Sequence, residues 1–63
     1  MNSYEYLDKL IAQKRAFVEE NSRLIRSLEK SKHRFALRAY ILRLYKRVEE
    51  EQENLDILLS RRK

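Results

Sequence analysis

Sixty-three residues without a cysteine, glycine or proline leave room for one small domain, with no disulfide or Cys-based zinc site to reinforce it. A chain this short buries only about 60% of the surface that its unfolded form exposes, so a core of its own is marginal. The net charge of +5, with 40% charged and 43% hydrophobic residues, directs attention to anionic partners. The longest apolar run, Ala39 to Leu42, is far too short for a membrane span.

The absence of glycine and proline removes the usual material of tight turns, and Leu, Glu, Lys, Arg and Ala are abundant. The chain is therefore expected to be all-α, a single domain over residues 1–63. A first helix is predicted over about residues 3–29. Asn2 stands where a cap belongs, Glu5 follows at the spacing of a capping box, and Met1 and Tyr6 flank the cap as a hydrophobic staple. Tyr4, Ile11, Val18 and Ile25 then repeat on one seam letter of a heptad, and Leu7, Lys14, Asn21 and Leu28 on the other. Leu10, Phe17 and Leu24 widen that stripe on one side.

A second stripe runs through Leu37, Ile41, Leu44, Val48, Leu55 and Leu58, with Glu51 as its polar interruption. It predicts a second helix over about residues 34–60, with Tyr45 beside Ile41 and Val48 on the hairpin face. At roughly 100° per residue, the step from Leu28 to Leu37 puts the two stripes half a turn out of phase. One straight helix would place them on opposite faces. An antiparallel helical hairpin broken near residues 30–34 brings them together, and Ser31 is a candidate cap for the second helix. A continuous helix held between partners is the alternative.

Reversal near residue 32 sets Lys14 opposite Glu51, each a polar interruption of an apolar seam. They are expected to be a register pair, fixing alignment more than adding stability. The alternative is that each side chain reaches water separately.

The segment from Phe35 to Val48 is apolar on more than one side. Phe35, Ala39 and Leu42 step along a second face and Tyr40 lies on a third. These four are the expected oligomer interface, because an exposed Phe–Leu stripe on so small a chain calls for a cover. The arrangement expected is a homodimer of hairpins forming a four-helix bundle. Otherwise these side chains cover the end of the hairpin itself.

The charge is segregated. Residues 23–47 hold nine basic side chains against Glu29 alone, a net +8, while the flanking segments are slightly acidic. Arg23, Arg26, Lys30, Lys32, Arg34, Arg38, Arg43 and Arg47 are the candidate contacts for a nucleic acid or an acidic partner. Arg suits phosphate because its guanidinium forks onto two oxygens. Tyr40 and Tyr45, set among these arginines, are of the type that stacks on unpaired bases. The rival reading is a protein adaptor or inhibitor that packs an amphipathic helical face on an acidic protein. Membrane-surface attachment through residues 34–48 ranks behind both.

Catalysis is not expected. His33 has no Cys to activate and no second His with which to share a metal, and the carboxylates at 49–53 read as a solvated face. Phosphate loops need glycine. No catalytic, metal or cofactor-binding residue is assigned and no cofactor is expected. The first residues show no signal-peptide pattern, and a cysteine-free chain suits the cytoplasm. Leu7-Asp8-Lys9-Leu10-Ile11 and Leu55-Asp56-Ile57-Leu58-Leu59 resemble the Leu-Asp core of a motif in small helical-hairpin phosphatases of sporulation phosphorelays. That family leads in with Ser-Gln-Glu, where this chain has Tyr4-Glu5-Tyr6 and Gln52-Glu53-Asn54. The likeness covers five residues of a common amphipathic pattern, so the family is not adopted.

Overall fold

The computed structural model describes residues 3–62. The capping box on Asn2 and the staple on Met1 lie outside the described residues. Two helices, α1 (Ser3–Lys30) and α2 (Arg38–Arg61), pack against each other as an antiparallel hairpin. The Cα trace is a rod of 48 × 14 × 14 Å. The out-of-phase stripes are brought together by reversal, and the chain is not one continuous helix.

The seam makes the core. Ile11 and Ile25 of α1 and Ile41 and Leu55 of α2 are buried, and each sits on the β-branched heptad letter of its helix or in line with it. Leu7, Val18, Leu28, Leu44, Val48 and Leu58 flank them, half-buried. Asn21 also occupies a seam position. Its amide Nδ2 donates to the Phe17 carbonyl at 2.8 Å, so the polar group costs little there. No described side chain falls below 2% exposure, as expected where two helices alone must shield one another.

The reversal differs from the sequence expectation in place and in chemistry. It occupies residues 31–37 instead of 30–34, and α2 begins at Arg38 instead of near residue 34. Without glycine, a compact turn through positive φ is costly, and none of the described residues has positive φ. The chain instead turns through successive bonds: Ser31 N–H to the Leu28 carbonyl, Arg34 to Ser31, Leu37 to His33 and Arg38 to Phe35. A reversal built from such open steps consumes more residues.

Ser31 does not cap α2. Its Oγ accepts the backbone N–H of His33 at 3.1 Å and so shapes the turn. The N-cap position of α2 is Leu37, which offers no side-chain acceptor. The Arg38 N–H is bonded to the Phe35 carbonyl, and Ala39 and Tyr40, which follow, are exposed, so water can serve the next N–H groups.

Candidate functional site

The basic residues from Arg23 to Arg47 surround the turn end of the rod. Arg23, Arg26 and Lys30 ride the outer face of the last turns of α1. Lys32 and Arg34 lie in the linker, and Arg38, Arg43, Lys46 and Arg47 follow on the first turns of α2. All nine are exposed. They form a collar, because helical spacing distributes them around two cylinders.

Few of these charges are neutralised. Among the described residues Arg47 is the only one of the nine in an ion pair, with Nε 3.6 Å from Glu51 Oε1, and its guanidinium also lies 5.5 Å from the centroid of the Phe17 ring. Arg47 is thus the candidate contact most committed within the fold. Arg34 sits 5.1 Å over the ring of Phe35, itself 79% exposed, so this stacked pair faces water. Glu29, the one carboxylate of the segment, accepts the phenolic O–H of Tyr45 at 2.9 Å. That hydrogen bond to a carboxylate raises the Tyr45 pKa above 10.0, helped by desolvation and the charge of Glu29. The start of α2 reinforces the positive character, with no acidic residue in its first turn and no side-chain cap.

Tyr45 stands off the hairpin core. It is half-exposed at the flank of α2 and reaches across to α1, whereas Leu37, Ile41, Leu44 and Val48 do form the packed face. Tyr40 is 47% exposed. By helical phase it lies on the side of α2 away from Phe35 and Leu42, so the four residues expected at an oligomer interface do not share one surface. Phe35 and Leu42 line a shallow groove with Arg38, Ile41, Tyr45 and Glu29, and neither Ala39 nor Tyr40 lines it.

Lys14 and Glu51 meet across the hairpin. Lys14 Nζ is 2.7 Å from Glu51 Oε2, and both side chains are largely shielded, at 27% and 16% exposure. The hydrogen bond from Lys14 holds the Glu51 carboxyl below its ordinary 4.5 against desolvation, with the charges of Lys14 and Arg47 adding to the effect. At the open end, Arg62 grips Asp8 with Nε at 2.6 Å from Oδ1 and a second nitrogen at 3.4 Å from Oδ2. That grip lowers the Asp8 pKa from 3.8 and raises that of Arg62. Asp8 and Asp56, the acids of the two Leu-Asp segments, are both occupied, since Asp56 accepts from Gln52 at 3.1 Å.

Sequence reasoning missed the Tyr45–Glu29 bond, the Arg62–Asp8 pair and the Arg47–Phe17 stacking. Each depends on which flank of α2 faces which flank of α1, a choice the seam pattern alone leaves open. Among the described residues no group of three or more His, Cys, Asp or Glu side chains could hold a metal ion, and no helix is long and apolar enough to cross a membrane. Comparison with family models, curated proteins and solved structures finds no match to this chain.

Proposed function

We propose that this protein is a non-enzymatic interaction module, a homodimer of hairpins forming a four-helix bundle, that holds nucleic acid at its basic turn end in the cytoplasm. One observation carries the reading. Of nine exposed basic side chains between Arg23 and Arg47, eight have no carboxylate partner among the described residues, and the single acid among them, Glu29, is engaged by Tyr45. So dense a positive collar on so small a rod is an electrostatic footprint for a polyanion. Arginine predominates, which suits forked contact to phosphate oxygens. The half-exposed ring of Tyr40 is available for a base to stack on. Dimerisation is supported by the thin core, four buried residues among those described, and by the exposed Phe35 and Leu42.

The test uses nuclease-treated protein and labelled single-stranded and duplex oligonucleotides. Arg23→Glu, Arg26→Glu and Lys30→Glu together lie on the outer face of α1, outside the packed seam. They are expected to abolish binding while leaving the helical circular dichroism intact. Wild-type affinity should fall on the order of a thousandfold between about 50 and about 200 mM salt, as for roughly six phosphate contacts. An affinity indifferent to both the triple reversal and salt would refute the reading. Binding of the same collar to an acidic protein, with none to oligonucleotides, would transfer the function to the adaptor class.

A further inference from the structure

One flank of the hairpin carries two adjoining shallow grooves, net positive toward the turn and negative beyond it. The turn-proximal one is lined by Phe35, Ile41, Leu42 and Tyr45 and rimmed by Arg34, Arg38 and Glu29, whose carboxylate accepts the Tyr45 hydroxyl. The next one along the rod is lined by Val18, Tyr45, Val48 and Gln52 and rimmed by Glu49. Tyr45 is the shared wall of both. The apolar floor stays wet in the single hairpin, with Phe35 79% and Leu42 58% exposed. Among the described residues Arg38 and Glu49 have no ion-pair partner.

We propose that a second copy of this chain occupies these grooves, α2 against α2 in antiparallel orientation, with the two-fold axis passing between Leu42 and Tyr45. The sequence positions decide the register. Arg38 and Glu49, both on α2, are equidistant from that axis, as are Leu42 and Tyr45. The two-fold therefore sets Arg38 of each copy level with Glu49 of the other, so both orphan charges are paired twice over. It also lays Leu42 on the ring of Tyr45. An acidic helix in the same grooves would meet Glu49, and a basic one would meet Arg38. A reversed copy of the flank itself satisfies both ends. The second helices then pair over residues 38–49, about 18 Å at the helical rise, and both basic collars fall near the centre of the dimer.

This inference rests on the homodimer reading above and names its interface; nucleic-acid binding does not enter its test. The test is the mass in solution of nucleic-acid-free protein at low micromolar concentration. Wild type is expected to be a dimer. Arg38→Glu alone and Glu49→Arg alone place like charges twice across the interface and are expected to weaken dimerisation at least about tenfold. Mixed in equal amounts, the two variants restore both opposite-charge pairs, so a heterodimer should form with wild-type helicity, even if either variant alone fails to fold. A monomeric wild type overturns the homodimer reading and this interface together. Single variants that remain as dimeric as wild type, or a mixture that behaves as the sum of its parts, overturn this interface and leave a dimer through another face.

Discussion

Lys14 Nζ and Glu51 Oε2 lie 2.7 Å apart between helices, and Arg47 approaches the other oxygen of the same carboxylate at 3.6 Å. One acid thus serves two cations, one from each helix, at a level of the seam where its neighbours are apolar. Any slip of α2 along α1 would part Lys14 from Glu51 and leave partly shielded charges facing hydrocarbon. We propose on that ground that the pair fixes register.

A double-mutant cycle on Lys14→Met and Glu51→Leu is expected to show a coupling of about 1 kcal/mol in urea unfolding. The double variant should match or exceed wild-type stability, because well-packed hydrocarbon replaces a costly desolvated pair. Its register should loosen, read as broadened amide resonances along the seam. A coupling indistinguishable from zero would mean that each side chain finds water independently.

Acid is expected to weaken the hairpin through Glu51 and Asp8. Both carboxyls have folded pKa values below their ordinary 4.5 and 3.8, so the folded state releases protons more readily than the unfolded chain. Their contribution is fully present above those ordinary values and is lost as the pH falls through the depressed ones. Glu51→Gln should flatten the upper part of that acid limb. Tyr45 works in the opposite sense. Its raised pKa makes its contribution complete below 10.0 and lost as the pH climbs through the higher folded value. In a phenolate absorbance titration Tyr45 should ionise late, and Tyr45→Phe should remove that late component.

Ile25, 3% exposed, is the most buried of the core residues, and Ile57 on the outer face of α2 is 52% exposed. Ile25→Ala is expected to cost about 3 kcal/mol, enough to unfold much of so small a core. Ile57→Ala should stay within about 0.5 kcal/mol of wild type. Thermal melts followed by circular dichroism separate the two. Equal effects would mean that Ile57 is covered by a partner.

The hairpin, its seam and the Lys14–Glu51 level were legible because they follow from two facts of helical geometry. Side chains return to one face every three or four residues, and two stripes half a turn out of phase can meet only by reversal. The position of a reversal is legible where glycine or proline marks it, and here neither is present. So the break ran on to residue 37, where Arg38 starts the second helix, and Ser31 served the turn instead of capping α2.

The sequence by itself determined that this chain is helical, where its four core residues repeat, and that its positive charge gathers beside the turn. All three are local or periodic properties, set by each residue's place on its own helix. Only the tertiary structure decided which flank of α2 looks toward which flank of α1. It thereby gave Glu29 to Tyr45, Asp8 to Arg62 and the ring of Phe17 to Arg47. Flank choice is set by small differences in packing and side-chain pairing summed along the whole interface, and no window of sequence contains that sum.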